Sequence, residues 1–272
     1  MKISLFRSLG FASLILIAAT SANATVSLED QTWTELSAEI KAGTTTIIIP
    51  IGGTEQNGPD MALGKHNVRV KFLAEKIAEK LGNALVAPVV SYVPEGEIDP
   101  PTQHMKFPGT ITISEKTFEQ ILESAARSFR HHGFKTIVFI GDHGSYQANE
   151  GRVADRLNAE WANDKTKVFA AREYYSIVSH GYFNALLRNR VPKADIGTHA
   201  GLSDTSLMLA IDPSMVRTGR LKSGPKLGAS DGVYNGDPRR SSAELGQIGV
   251  KLIINGTADA ISKFVEKQQL TK

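Results

Sequence analysis

The sequence predicts an α/β protein, a three-layer α/β/α sandwich with a mostly parallel central sheet. Short β-branched apolar runs alternate along the chain with longer segments in which apolar residues recur at helical spacing. The short runs are apolar at nearly every position, which is typical of strands that are buried on both faces. Alternation of such strands with helices favours a parallel sheet covered by helices on each face.

The elements are predicted in chain order from these runs and from the polar residues that precede the amphipathic segments. The expected strands are residues 44–52, 83–93, 107–113, 135–141 and 167–175. The expected helix caps are Asn67, Ser114 and Ser203, with a capping box formed by Ser241 and Glu244. No internal repeat or clear linker interrupts the pattern, so one domain is expected over residues 25–272.

Residues 1–24 have the pattern of a secretory signal peptide. A basic start precedes an apolar stretch from Leu9 to Ala19, and Ala22-Asn23-Ala24 is a small-x-small cleavage pattern. An N-terminal membrane anchor is the alternative, but the stretch is shorter than the ~20 residues that a spanning helix needs. We therefore expect a periplasmic or secreted protein that has no membrane contact after cleavage.

Composition limits the partners and the chemistry. Of the 31 basic residues two lie in the leader, which holds no acidic residue, so the mature chain carries 29 basic and 28 acidic side chains. No basic stripe indicates nucleic-acid binding. The chain has no cysteine, so a metal site must use nitrogen and oxygen ligands.

Polar side chains collect after the predicted strands. They are Glu55, Asn57 and His66 after the first strand, Asp142 and His143 after the strand at 135–141, and His199 and Asp204 in "THAGLSDTS". Ligands of parallel sheets bind beyond the carboxyl ends of the strands, so these groups are expected at one rim. Imidazoles and carboxylates suit Zn²⁺, Mn²⁺ or Fe²⁺, and such an ion activates water for attack on a carbonyl.

The other histidines and two loop motifs give weaker indications of function. His131 and His132 end an amphipathic helix and are expected to face solvent near its negative dipole end. His180 stands between helical segments without a partner pattern. The loop "GDHGS" contains Asp, His and Ser, but adjacent residues on one loop seldom form a catalytic triad. The loop "GGTEQNG" lacks the lysine and the spacing of a phosphate-binding loop.

Five segments resemble motifs of the creatininase (creatinine amidohydrolase) family. "PIGGTEQNGPDMALGKHN" is similar to the family's opening Gly-Ser/Thr-x-Glu-Gln-His-Gly-Pro followed by Leu-Gly-Thr-Asp. The other segments are "QHMKFPGTITIS", "FIGDHGSYQ", "THAGLSDTS" and "GVYNGDPRRSSAELG". Together they cover nearly all of the mature chain in the family's order. The resemblance implies a three-layer metallohydrolase, often hexameric, with one or two metals and activity on non-peptide amide bonds.

Carried over by position, the resemblance assigns roles to four residues. Glu55 matches the family's first carboxylate ligand, and His143 matches its histidine ligand at a strand end. His199 matches a histidine near the substrate, and Asp204 replaces a glutamate with a shorter acid.

Three positions depart from the family pattern. Asn57 stands where the family has a histidine ligand, and His66 stands where it has the aspartate that bridges two metals. Ser145 offers no carboxylate where creatininase itself has one. Because one imidazole cannot bridge two cations, these departures favour a site with a single metal.

The resulting expectation is a metal-dependent amidohydrolase that cleaves a non-peptide C–N bond of a small cyclic or linear amide. The expected ligands of the divalent ion, zinc with manganese or iron as alternatives and one or two per chain, are Glu55, His66, His143 and Asp204. His199 and Asp204 are the expected acid–base residues, and Asn57, His104, Ser145 and Tyr146 are expected to line the substrate pocket. Creatinine is not the favoured substrate, because the ligand set departs and aromatic residues are scarce. The alternative is a non-catalytic exported binding or assembly protein, and a homo-oligomer is expected in either case.

Overall fold

The computed structural model describes residues 25–270, and these residues form a four-stranded parallel sheet with a separate two-stranded antiparallel pair. The parallel strands are β1 (Thr46–Ile51), β2 (Ala84–Val86), β3 (Thr136–Gly141) and β4 (Lys167–Ala170). The antiparallel strands are β5 (Gly197–His199) and β6 (Tyr234–Gly236). The predicted leader at residues 1–24 lies outside the described residues.

Helices of very different length connect and cover the strands. The longer helices are α1 (Trp33–Ala42), α2 (Lys65–Leu81), α3 (Glu115–His131), α4 (Gln147–Glu160), α8 (Leu202–Ile211) and α10 (Ala243–Leu270). The shorter helices are α5 (Arg172–Ser176), α6 (Tyr182–Arg188), α7 (Lys193–Ile196) and α9 (Thr218–Ser223), with a π-helical turn at Ile177–Gly181. Within residues 25–270, no helix combines the length and apolarity that crossing a membrane requires.

The central sheet is buried on both faces, which confirms the predicted sandwich. Alternate side chains of β1 enter opposite cores, with Ile48 on one face and Ile47 and Ile49 on the other. The Ile48 face packs against α2, α8 and α10, and the opposite face packs against α3 and α4. Helices therefore form the two outer layers around an apolar sheet.

The strand order places a crevice at the carboxyl ends of β1 and β3. The order is β2-β1-β3-β4, and Ile51 at the end of β1 pairs with Gly141 at the end of β3. The chain leaves β1 toward β2 on one side and later crosses to β3 on the other side. Such a switch point is where open parallel sheets bind ligands, because the connections diverge there.

Three predicted strands are wrong in part or in full. The strand predicted at 83–93 is limited to β2 and one isolated bridge from Val90 to Ile51. Residues 107–113 form no strand in the described chain, although Ile111 and Ile113 donate backbone hydrogen bonds to Thr54 and Val93. Pro108 and Gly109 interrupt this segment, and Gly109 has a φ of +90°. The strand predicted at 167–175 ends at Ala170, and its second half is helix α5.

Three predicted caps are also wrong, whereas Ser114 caps α3 as expected. Helix α2 begins at Lys65, and Asn67 instead accepts a hydrogen bond from the Gly53 amide. The other two corrections are that Gly201 rather than Ser203 precedes α8, and that Ser242 rather than Ser241 accepts the amide of Leu245 in α10. The displaced hydroxyls bind carbonyls of other segments, so tertiary contacts override the local capping preference.

Candidate metal centre

The fully buried carboxylate of Glu55 lies at the centre of the rim and faces two different groups of side chains. Its Oε1 lies 2.7 Å from Nε2 of His66 and 3.6 Å from Nζ of Lys65. Its Oε2 points the other way and lies 3.2 Å from Nε2 of His104 and 3.4 Å from Nε2 of His143. Oε1 of Glu55 therefore faces Lys65 and His66 at the start of α2. Oε2 faces His104 and His143, on what we call the imidazole side.

On the imidazole side, four residues form a cradle of metal-ligand chemistry: Glu55, Glu95, His104 and His143. Each offers one ligand atom, and these atoms all lie within 4.8 Å of one another. Within the described residues, Oε2 of Glu55 and both carboxyl oxygens of Glu95 are buried without a hydrogen-bond partner. Buried polar atoms are normally paired, so these unpaired oxygens are suited to serve as ligand atoms for a cation.

The two imidazoles of the cradle are held through their Nδ1 atoms. Nδ1 of His143 lies 2.8 Å from the Ser145 hydroxyl, which itself donates to the Pro94 carbonyl. The backbone amide of Ser145 lies 3.3 Å from the same Nδ1, so Ser145 holds the ring through two atoms and Nε2 faces Glu55. Nδ1 of His104 lies 3.0 Å from the side-chain nitrogen of Gln56. Such partners fix ring orientation in metal sites.

The backbone also brings the two carboxyls close together. Gly53, with a φ of +142°, allows the loop after β1 to pass the Glu95 side chain, because a Cβ there would lie 2.7 Å from Oε1 of Glu95. Burial and the neighbouring Glu55 charge raise the pKa of Glu95 to about 9. Burial opposes ionisation of Glu55 too, but the contact with His66 and the Lys65 charge hold its pKa well below the ordinary value. The pair therefore carries one proton, on Glu95.

Burial favours the neutral form of three imidazoles that line the cavity, those of His104, His143 and His199. Burial lowers the pKa of His143 to about 4 and, together with the Lys65 charge, lowers the pKa of His199 to about 3. Neutral imidazole is the form that binds a metal ion or accepts a proton. Burial likewise lowers the pKa of His104.

Helix α2 supplies a second, cationic group of side chains beside the cradle. His66 bridges two carboxylates, with Nδ1 2.5 Å from Asp142 and Nε2 2.7 Å from Glu55. Asp142 also accepts from Nε of Arg69 at 2.8 Å and from the Tyr174 hydroxyl at 2.6 Å. Burial would raise the pKa of Asp142, but the Arg69 charge lowers it.

Asp204 is tied to the same helix. Its Oδ2 accepts from Nζ of Lys65 at 2.8 Å, and its Oδ1 accepts from the Arg69 guanidinium at 2.7 Å. The Ala200 amide also donates to Oδ2 at 3.0 Å. Both carboxylate oxygens are therefore engaged by protein donors, which leaves Asp204 poorly placed to bind an ion.

A cavity of about 340 Å³ opens above these groups. One wall carries polar and charged side chains, including Lys65, His104, His143 and His199. The other wall is formed by α5, the π-helical turn and α6, with the side chains of Tyr175, Val178 and Phe183. Ser179 and His180 lie at the same turn and also line the cavity.

The structure brings two of the four predicted ligands into the cradle and leaves two outside it. Glu55 and His143 are members. His66 contacts Glu55 but turns its other nitrogen to Asp142, and Asp204 pairs with Lys65 and Arg69 as described. His199, a predicted acid–base residue, lines the cavity.

The predicted pocket residues have different positions. His104 belongs to the cradle, and Ser145 binds the ring of His143. The Asn57 amide donates to the carbonyls of Glu55 and Ala62, which shapes the loop after β1. The buried Tyr146 hydroxyl donates to the carbonyl of Gly52 at 2.6 Å. The side chains of Asn57 and Tyr146 therefore stabilise the backbone of the segment that follows β1.

Sequence reasoning missed Glu95, Lys65 and Arg69. Glu95 comes two residues after the strand predicted at 83–93, so the rule that sites form beyond strand ends could have found it. Lys65 and Arg69 are one helical turn apart at the start of α2, and each is 1% exposed. Nothing local in the sequence distinguishes them from surface cations of an amphipathic helix.

The parallel fold brings to one sheet edge a cluster of carboxylates and imidazoles that could hold a metal ion, and the comparisons specify the family. A family model described as creatinine amidohydrolase matches residues 29–261. The chain belongs to the creatininase family.

Curated and solved relatives agree with this assignment. Creatinine amidohydrolase from Pseudomonas putida is 25% identical over 248 residues, which cover 85% of this chain and 94% of that protein. A mycofactocin precursor peptide peptidase from Mycolicibacterium smegmatis is 27% identical over 256 residues, covering 85% and 90%. The solved structure "Creatininase Mn" superposes with a TM-score of 0.72 at 24% identity, covering 88% of this chain and 98% of that chain.

Proposed function

We propose that this chain is a metal-dependent amidohydrolase that cleaves a C–N bond of a small cyclic or linear amide. The observation that carries the proposal is the cradle of Glu55, Glu95, His104 and His143, whose two imidazoles line the cavity. Its three orphaned carboxyl oxygens have no partner among the described residues, and a divalent cation would satisfy them. Zinc suits two imidazoles and two carboxylates, and manganese and iron are the alternatives.

A divalent cation bound in the cradle would supply a Lewis acid for the amide carbonyl and a lowered pKa for a water molecule. The chain supplies the remaining groups. Nε2 of His199 lies 2.9 Å from the Gln56 carbonyl and 3.1 Å from the Gln56 side-chain nitrogen, and its Nδ1 lies 3.6 Å from Oε1 of Glu55. This neutral imidazole is placed to accept a proton from water and to return it to the leaving nitrogen.

The cavity limits the size of the substrate. A volume of about 340 Å³ is at the small end of the range for ligand pockets. The amide carbonyl of the substrate would face the polar wall. The rest of the substrate would face the apolar wall of Tyr175, Val178 and Phe183. A small amide or lactam fits this division, whereas a folded polypeptide is excluded by volume.

One observation favours the second candidate function, a non-catalytic exported binding protein. Asp204, the other predicted acid–base residue, is neutralised by Lys65 and Arg69. A site that had lost its acid–base group would retain the cavity without turnover.

Metal-dependent turnover separates the two candidates. The mature chain is loaded with zinc or manganese and tested on a panel of small amides and lactams by release of amine or carboxylate. We expect turnover that a chelator abolishes and that His143→Ala removes, while His131→Ala, an exposed histidine at the end of α3, keeps it. Metal binding without hydrolysis of any compound in the panel, or absence of bound metal, would contradict the amidohydrolase and favour the binding protein.

Export and assembly are also proposed. The leader predicts a mature chain that begins at Thr25, in the periplasm or outside the cell. Mass spectrometry of the protein recovered from the periplasmic fraction measures this start directly, and an uncut chain in the membrane fraction would contradict it. The predicted homo-oligomer is measured by light scattering of the same sample.

A further inference from the structure

A lysine ammonium fills the position on the far side of Glu55 from the cradle. Nζ of Lys65 lies 2.8 Å from Oδ2 of Asp204 and 3.6 Å from Oε1 of Glu55, and the side chain is 1% exposed. Lysine is almost never buried this fully without a charged partner. The ammonium therefore sits between two carboxylates at the place where a second cation could contact both.

Other side chains already contact the carboxylate oxygens that a second metal ion at this position would need. His66 approaches Oε1 of Glu55 at 2.7 Å, and Arg69 holds the second oxygen of Asp204 at 2.7 Å. These contacts use Oε1 of Glu55 and both oxygens of Asp204. Only Oε2 of Glu55 remains directed at the cradle, so Glu55 can bind an ion there through one oxygen.

The charges of the cluster also limit the number of ions. Within the described chain, the buried carboxyl groups of Glu55, Glu95 and Asp142 and the partly buried one of Asp204 face two permanent cations, Lys65 and Arg69. With every carboxyl ionised, one divalent ion brings this cluster to neutrality. A second divalent ion would leave at least two uncompensated positive charges in a buried site, which is strongly unfavourable.

We propose that the Lys65 ammonium is a built-in replacement for a second metal ion and that it restricts the centre to one metal. This inference rests on the proposed metal centre and adds its stoichiometry and the residue that sets it. Lys65 acts by occupying a cation position and by fixing Glu55 in its one-oxygen orientation, so it is a positioning residue.

The test is a Mn²⁺ titration of the mature chain, followed by equilibrium metal content and by electron paramagnetic resonance. The wild type is expected to saturate at one Mn²⁺ per chain with the six-line spectrum of an isolated ion. The double variant Lys65→Thr/His66→Asp, which introduces the Thr-Asp pair of the motif quoted above, is expected to bind two ions with a spin-coupled spectrum. Lys76→Thr, on the exposed face of the same helix, is the control and is expected to remain at one.

Lys65→Met is a second test in case the double variant does not fold. Methionine keeps nearly the volume of the lysine side chain and removes its charge. This variant is expected to take up more than one Mn²⁺ per chain, because Glu55 and Asp204 lose their shared cation. Two coupled ions in the wild type, or one ion in every folded variant, would overturn the inference. A wild type that binds no Mn²⁺ or Zn²⁺ at all would instead overturn the proposed metal centre.

Discussion

At the residue scale, the centre depends on pairs that are distant in sequence. Glu55 and His143 follow strands and could be predicted from the sequence, because parallel strand ends converge. The pairing of Asp204 with two cations of α2 could not be predicted. Its partners Lys65 and Arg69 lie 139 and 135 positions earlier in the chain, and no local pattern reports such a pairing.

Removing the carboxylate of Glu95 tests the ligand that the sequence did not indicate. Glu95→Gln keeps the shape of the side chain and removes an ionisable ligand, so metal affinity is expected to fall. The loss should exceed the ~10–100-fold that removal of an outer hydrogen-bond partner costs. Calorimetric titration with Zn²⁺ measures it, with Glu97→Gln as the exposed control in the same loop. Equal affinities in the two variants would exclude Glu95 from the centre.

Metal binding is also expected to depend on pH through Glu95. Its pKa is raised to about 9, so the carboxyl carries a proton at neutral pH that an incoming cation must displace. Apparent affinity should therefore rise with pH up to about 9, and binding near pH 7 should release a proton. Calorimetry in buffers of different ionisation enthalpy measures this proton, which Glu95→Gln should lack.

A second buried acid, Glu150 in α4, predicts a pH-dependent stability. Both of its carboxyl oxygens lack a partner among the described residues, and burial raises its pKa well above 4.5 although the charge of Arg172 opposes this. A carboxyl group whose pKa is higher in the folded state stabilises the protein at pH values below its pKa in the unfolded state. This stabilisation is lost as the pH rises toward its pKa in the folded state. Glu150→Gln is therefore expected to stabilise the protein increasingly between pH 5 and 8.

Thermal unfolding of Glu150→Gln across that pH range measures the effect. A gain of about 2–4 °C in Tm at pH 8 would correspond to ~1 kcal/mol in a domain of this size. The exposed Glu266→Gln on α10 is the control and should show no such trend. A difference in Tm that stays constant with pH would contradict the assignment of a buried proton to Glu150.

At the scale of elements, helix α2 is the part that converts the fold into a site. Its first turns carry Lys65, His66 and Arg69, and its start is pressed against the end of β1 at Gly52. A Cβ at Gly52 would lie 2.2 Å from Oδ1 and 2.9 Å from the backbone Cα of Asn67. The hydrophobic period predicted this helix, but not its start, because Asn67 is used for the contact with Gly53.

Gly52→Ala tests this close approach. The added methyl must displace α2, which is expected to cost about 1–3 kcal/mol, as is typical of overpacking. Thermal unfolding measures the loss, and Gly219→Ala, where a Cβ meets nothing within 4 Å, is the matched control. If both variants unfold at the same temperature as the wild type, the contact between β1 and α2 is not tight.

At the scale of the whole molecule, the sandwich followed from simple periodicity. Apolar strands such as 135–141 and amphipathic helices such as α3 each have a single way to bury their surface, so their assembly into layers is strongly constrained. The segments at 107–113 and 171–175 were mistaken because apolar and β-branched residues there serve loop and helix packing. The arrangement of side chains at the cavity, where separate loops meet, could not be predicted from the sequence.

The central claim is that one divalent ion lies between Glu55, Glu95, His104 and His143. Anomalous diffraction at the zinc edge from crystals of the zinc-loaded mature chain tests it most directly. The account predicts one peak at about 2.0–2.2 Å from Oε2 of Glu55 and from Nε2 of His104 and His143. A peak bound to His66 and Asp204, or no peak at this edge of the sheet, would contradict it.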